Sequence, residues 1–392
     1  MAGSRPGVPG VLGASDSANV PGAAPPEWRP VFARVPRASF IPAVIWDDDR
    51  RVVRRDREPD RWAALVRRDA PVITQLDDGD ASGRGYVSSS ASMPTVVAMM
   101  LAELDVADGM RVLEIGTGTG WNTALLAARL GSENVTSVEI DPALAAAARR
   151  SLADAGFRPT VATADGMAGW PENAPYDRVI ATAAVQRVPY AWVAQTRPGG
   201  LVLTPWGTAF HNGTLLRLRV HGDGTGSGRF GADVGFMWTR SERTPHGSVE
   251  ERVLPEHDSD ASTTELHPYE PVGDFDASFA IGLRVPAMLS TVVHDGPAAD
   301  NRFTVYLMDP ATGSWASWRV TPETHGSYQV RQHGRRRLFA ELAAAWRWWE
   351  GAGRPGVDRF GLTVTRDGQY TWLDHPETPI GPPTDERPHP PR

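Results

Sequence analysis

From residue 94 to residue 220 the chain alternates stretches of apolar residues at helical spacing with short continuous apolar runs. Over 94–104, Val96, Val97, Met100, Leu101 and Leu104 share one face of a helix that Pro94 can open. A strand is predicted at 111–115, a helix at 121–130 stopped by Gly131, a strand at 135–140, and a helix at 142–155 stopped by Gly156. Asp141 before Pro142 supplies a capping carboxylate and a first-turn proline. Further runs at 159–163, 177–182, 200–204 and 215–220 read as strands. This alternation predicts a doubly wound α/β fold, a parallel sheet covered on both faces, with ligands at the carboxyl ends of its strands. Ahead of it, 71–76 reads as a strand and 77–85 as a turn-rich loop leading to Ser88-Ser89-Ser90-Ala91-Ser92.

Beyond about residue 222 the pattern loosens into Gly- and Ser-rich loops between short runs at 305–308 and 314–320. A helix is predicted at 335–350, where Leu338, Phe339, Leu342, Ala345, Trp346 and Trp349 recur at helical spacing, and a hairpin follows at 361–373 around Asp367-Gly368. This is an additional C-terminal α+β region. The expected division is a disordered leader over 1–27, a main domain over 28–222, an accessory region over 223–374 and a flexible tail over 375–392. The Trp-rich helix is expected to pack on a sheet, since large aromatics fill cores.

At 392 residues with 41% hydrophobic content, the chain can bury a substantial core. A net charge of −7 argues against nucleic acid or an anionic membrane as a partner. The absence of cysteine excludes disulfides, thiol nucleophiles and thiolate metal sites, and agrees with a cytoplasmic location. Histidines such as His211, His246, His257 and His333 show no metal-ligand spacing, so no metal is expected.

The chemistry concentrates in Glu114-Ile115-Gly116-Thr117-Gly118-Thr119-Gly120 and, after the next strand, Glu139-Ile140-Asp141. Glycine is needed where a chain reverses into a helix and backbone approaches a ligand, and a carboxylate at the end of the following strand can hold both hydroxyls of a ribose. The glycine spacing departs from G-x-G-x-x-G and favours S-adenosylmethionine over a dinucleotide. Asp165-Gly166, after the third strand, stands where it could hold an adenine amino group.

These residues, with Val35-Pro36-Arg37, Phe40-Ile41-Pro42, Ser90-Ala91-Ser92-Met93-Pro94, Gly169-Trp170-Pro171 and Thr182-Ala183-Ala184, follow one another as in the protein-L-isoaspartate O-methyltransferases, which the chain resembles over roughly 30–220. The resemblance implies a Rossmann-like class I methyltransferase with a seven-stranded sheet. S-adenosyl-L-methionine would be held by Glu114, Gly116, Thr117, Gly118, Gly120, Glu139, Ile140, Asp165, Gly166 and Thr182. Ser92 and Ser90 would stand at the reacting carboxylate, and Ser88, Ser89, Thr74, Gln75, Ala183 and Trp206 would contact a peptide substrate.

The family's usual Pro-Leu-Pro-Ile-Gly-x-Gly-Gln lead-in is replaced by Val72-Ile73-Thr74-Gln75 and a longer loop, and about 170 residues follow Val220. These departures resemble the branch encoded with ribosomal peptide natural products, the graspetides or lanthipeptides. The implied acceptor is then an Asp side chain in a modified precursor peptide, giving aspartimide and, after hydrolysis, isoaspartate. Isoaspartate repair is the alternative, and a non-catalytic peptide-binding protein on the same fold is an alternative of another class. A carboxylate with a pKa near ~4 is already a nucleophile at neutral pH, so positioning hydroxyls suit the reaction better than a base. Ser92 also reads as an N-cap for the helix that follows.

Overall fold

The computed structural model describes residues 21–243, 248–285, 287–296, 302–324 and 326–381. Residues 1–20 of the expected leader, His246 and the tail beyond residue 381 lie outside the described residues.

A ten-stranded sheet runs in the order Thr160–Thr163, Val135–Glu139, Val112–Ile115, Tyr176–Ala181, Thr196–Gly207, Asn212–Val220, Gly226–Asp233, Phe360–Thr365, Gly368–Leu373, Pro379–Ile380. The first five strands are parallel and the remainder pair antiparallel. Successive strands depart from Val112–Ile115 first to one side and then to the other. Their direction reverses beside Tyr176–Ala181, which opens a crevice above Ile115 and Ala181, the usual place for a ligand in such a sheet.

The two faces are read from adjacent residues. Val112, Ile180, Leu203 and Leu215 join one core with Trp28, Phe32, Leu101 and Leu125, while Leu113, Val179, Val202 and Leu216 join another with Trp192, Phe279 and Trp349. Period-two alternation thus sends neighbours to opposite layers. The first layer is made by the helices Arg29–Arg34, Pro94–Leu104 and Trp121–Leu130, the second by Tyr190–Ala194, Phe275–Arg284 and Leu338–Gly351.

Two antiparallel sheets complete the fold. Val52–Arg54, Val44–Trp46, Val72–Leu76 and Val87–Ala91 form a four-stranded sheet that carries the serines. Asp260–Thr264, Tyr328–His333, Ser314–Val320, Phe303–Asp309 and Leu289–His294 form a five-stranded sheet. Leu338, Leu342, Trp346 and Trp349 of the Trp-rich helix are buried in the core these last strands share.

Several expectations are corrected. Residues 21–27, assigned to the expected leader, belong to the fold, since Ala24 is buried and its backbone N–H closes a turn on the Pro21 carbonyl. Residues 375–381, assigned to the expected tail, belong to the fold, because Pro379–Ile380 adds a strand and Ile380 is buried. The sheet continues past the expected boundary at 222 through Gly226–Asp233, which pairs with Phe360–Thr365, so residues on both sides share one sheet. Met93, not Ser92, occupies the N-cap of Pro94–Leu104, and the first-turn N–H of Thr95 is met instead by the Asp69 carboxylate at 2.9 Å.

Candidate functional site

At the crevice, Val112–Ile115 ends and the chain turns through Gly116, whose φ is +93°. A Cβ there would stand 2.8 Å from Thr182 Oγ1, so the turn tolerates only glycine. The Thr182 hydroxyl donates to the Gly116 carbonyl at 2.5 Å, tying the ends of the two central strands together.

Glu139 stands at the end of the neighbouring strand, buried. Its two oxygens accept from the backbone N–H groups of Gly118 at 2.9 Å and Asp141 at 3.0 Å, which fixes the carboxylate beside the glycine turn with lone pairs left for a ligand. Burial pushes its carboxyl above the ordinary range, against the pull of those two donors. Asp141 caps Pro142–Asp154 by accepting from Ala143 and Leu144 N–H. Burial works against its ionisation, but Arg240 and the other donors hold its carboxyl below the usual range.

The cavity over this turn is lined by Gly116–Thr119, Glu139, Ile140, Asp165, Gly166, Thr182 and Ala183, and opposite them by Ser88, Ser89, Ser90 and Ser92. A Cβ on Gly166 would meet Ile115 Cγ2 at 2.5 Å, so the Gly166 backbone packs directly on the Ile115 side chain. Asp165 accepts from Met167 N–H at 3.0 Å, which orients its carboxylate as the turn's cap.

Other expected residues lie off the cavity. Glu114 is fully buried beneath the turn, where its carboxylate accepts from Asn122 Nδ2 at 2.7 Å, Thr123 Oγ1 at 2.5 Å and Ser137 Oγ at 2.6 Å. Burial raises its pKa. It anchors the start of Trp121–Leu130 and the adjacent strand, a positioning role. Gly120 ends the turn with φ +87° at the N-cap of that helix. Thr74 and Gln75 stand behind the serines: Thr74 Oγ1 donates to Ser89 Oγ at 3.1 Å, and Ser88 Oγ to Gln75 Oε1 at 2.9 Å. Trp206 faces the C-terminal layer, its ring 4.8 Å from Phe230 and 6.0 Å from Phe279.

Local patterning missed the segment 235–243. Phe236, Met237, Trp238, Thr239, Arg240 and Arg243 line the cavity. The segment is hung on Ala184, whose N–H donates to the Met237 carbonyl at 2.7 Å and whose carbonyl accepts from Thr239 N–H at 2.9 Å. Glu242 accepts from the Gln186 and Arg187 N–H groups at 2.6 and 3.1 Å. Arg37 was noted only as part of a motif, yet it donates to the carbonyls of Ala91 and Ser92, both at 2.9 Å, and so holds the serine segment from behind.

Among the described residues, no histidine lines the cavity. Among the described residues there is no group of three His, Cys, Asp or Glu able to hold a metal ion, and no helix is long and apolar enough to cross a membrane.

Residues 73–240 match the family model for protein-L-isoaspartate(D-aspartate) O-methyltransferase. The chain is 43% identical over 182 residues to the protein-L-isoaspartate O-methyltransferase of Anaeromyxobacter dehalogenans, an alignment covering 45% of this chain and 82% of that relative. It is 35% identical over 215 residues to the enzyme of the same name from Methylorubrum extorquens, covering 55% of this chain and 88% of the relative. A solved protein-L-isoaspartate O-methyltransferase superposes with a TM-score of 0.51 at 20% identity, covering 90% of this chain and 96% of that one. Its fold therefore extends into the region after Val220, which is not peculiar to this chain.

Proposed function

The chain belongs to the protein-L-isoaspartate O-methyltransferase family, and from that premise we propose that it methylates the side-chain carboxylate of an aspartate in a constrained, ribosomally made peptide. Its cofactor is S-adenosylmethionine, which supplies an electrophilic methyl group and leaves as S-adenosylhomocysteine. The residues fit it: a glycine turn that a Cβ would fill, the Glu139 carboxylate with free lone pairs for a ribose, and Asp165-Gly166 for an adenine edge.

The observation that carries the reading is the wall of hydroxyls, Ser88, Ser89, Ser90 and Ser92, facing the cofactor side of a cavity that no histidine among the described residues lines. A carboxylate needs no base to become a nucleophile; it needs orientation and exclusion of water. Ser90 and Ser92 orient the acceptor oxygen by donating hydrogen bonds. Ser92 does not cap the following helix, which suits it to this task. Phe236, Met237 and Trp238 close the cavity opposite with apolar surface.

The ester that results is a good electrophile. The nitrogen of the next backbone amide bonds to the ester carbonyl carbon, the C–O bond to methoxide breaks, and the amide proton leaves with it as methanol. The product is a succinimide, which water opens to aspartate or isoaspartate.

A second reading, methylation of isoaspartyl residues for repair, is favoured by the 43% and 35% identity to relatives of that name. Mass spectrometry with S-adenosylmethionine separates the two. Gain of one methylene on a cyclised Asp-containing precursor, then net loss of one water, supports the first reading; methylation of a linear isoaspartyl peptide alone replaces it with the second.

A further inference from the structure

Arg240 and Arg243 line the cavity and converge on one carboxylate at its mouth. Arg243 Nη1 lies 2.9 and 2.8 Å from the two oxygens of Asp78, and Arg240 Nε lies 3.0 Å from one of them. Arg240 keeps a second partner, Asp141, at 2.8 Å, and through it is tied to the Glu139 side of the site. Among the described residues Arg243 has no second carboxylate in its ion pairs and its Nε is buried without a hydrogen-bond partner, and its guanidinium lies 5.0 Å from the centroid of the exposed Tyr86 ring.

Both arginines are fixed from below by the Ala184 and Glu242 contacts, whereas Asp78 comes from the exposed loop 77–86. The conformation of that loop is costly. Asp77 and Asp78 are consecutive non-glycine residues at φ +48° and +55°, in the left-handed region that side chains other than glycine's adopt at a cost. A rigid pair of guanidinium groups facing the cavity is thus filled by a carboxylate from a strained, solvent-facing loop.

We propose that Arg243, with Arg240, is a subsite for a second carboxylate of the peptide acceptor, an acidic residue close to the one methylated, and that Asp78 occupies it until the peptide displaces it. The proposal rests on the reading of the acceptor as a peptide carboxylate and narrows the substrate class to acidic peptides. Displacement exchanges one ion pair for another, so the gain lies in specificity more than in net binding energy.

The test uses peptide pairs differing only in a Glu or Gln beside the acceptor, made in both a cyclised aspartyl and a linear isoaspartyl form, with the full-length protein. Whichever form is methylated decides the acceptor, and the Glu-to-Gln ratio within it decides the subsite, so the two readings fail separately. Dissociation constants measured by calorimetry with S-adenosylhomocysteine present give the same ratio without turnover. The expected result is a Glu preference of about tenfold, carried by KM rather than kcat, roughly the strength of one charged hydrogen-bonded pair. R243Q should abolish the preference and R243K restore part of it. D78N should lower KM for the Glu peptide several-fold and leave the Gln peptide unchanged. Equal affinity for both peptides in the unaltered protein, or an equal rise in KM for both with D78N, would overturn the proposal and leave Asp78 as a brace of the loop.

Discussion

Replacing Arg37 by Met removes the side chain that holds the Ala91 and Ser92 carbonyls of the acceptor wall from behind. The guanidinium of Arg37 is 4% exposed and donates to five carbonyls: Val66 at 3.1 Å, Arg68 at 3.3 Å, Ala70 at 2.8 Å, Ala91 at 2.9 Å and Ser92 at 2.9 Å. Leaving a buried acceptor without a donor costs ~1–3 kcal/mol; with the Val66 and Ala91 bonds buried and the other three partly buried, the gross loss is roughly 5–8 kcal/mol. Burial works the other way, since it pushes the Arg37 pKa down to about 10, and that solvation cost, on the order of 3 kcal/mol, vanishes with the charge. Met also keeps the stem's packing near the Trp121 ring, whose centroid lies 5.7 Å from the guanidinium carbon. The net expectation is about 2–5 kcal/mol of destabilisation, in line with removal of one partner from a buried charged network. The loosened Ala91 and Ser92 carbonyls further predict a fall in kcat on the order of 100-fold, the effect of misplacing a reacting group by about 1 Å. Urea denaturation gives the first number, and methyl transfer at a temperature where the variant is folded gives the second. An unchanged denaturation midpoint refutes the energetic argument; lost stability with an intact kcat refutes the positioning argument.

Glu139→Gln must turn an amide NH2 toward either the Gly118 or the Asp141 N–H, since both flanking groups are donors; cofactor affinity by calorimetry should weaken at least about tenfold, and unchanged affinity would remove Glu139 from the site. The raised pKa of Glu114 means that its contribution to stability is fully present below the ordinary carboxyl value of ~4.3 and is lost as pH rises through the raised value. Melting temperature measured upward from pH 5 should therefore fall less steeply in Glu114→Gln than in the unaltered protein, and parallel curves would contradict this. A chain ending at residue 222 loses Gly226–Asp233, the cavity segment 235–243 and the layer over Trp206 and Phe210. It should aggregate and bind no cofactor, and a soluble fragment with normal affinity would show the sheet to be divisible there.

Most elements between 94 and 220 were legible because each is specified locally: a proline at a helix start, a glycine at its end, an apolar run between. The glycine turn and Glu139 were legible for the same reason, being sequential consequences of strand, turn and strand. Glu114 sits in the same motif, but a strand's alternation does not say which layer a carboxylate meets, and this one turns inward to Thr123 and Ser137. Trp206 was drawn toward the substrate by its neighbours in sequence, whereas Phe230 and Phe279, distant along the chain, set its surroundings. The segment 235–243 has neither helical nor strand period, and is brought to the cavity by long-range contacts with Ala184, Gln186 and Arg187, more than fifty residues earlier. The boundary at 222 was placed by a change in composition, while pairing of Arg229 with Gly361 is a long-range fact that composition does not carry.

That pairing also sets an order of events during synthesis. Gly226–Asp233 leaves the ribosome as the open edge of a nearly finished sheet, and its partner follows about 130 residues later. At ~5–20 residues per second the edge waits roughly 7–26 s for its neighbour. An unpaired edge is the surface on which other chains add strands, so the most vulnerable state of this protein is a nascent one, complete in its catalytic crevice and open at its flank.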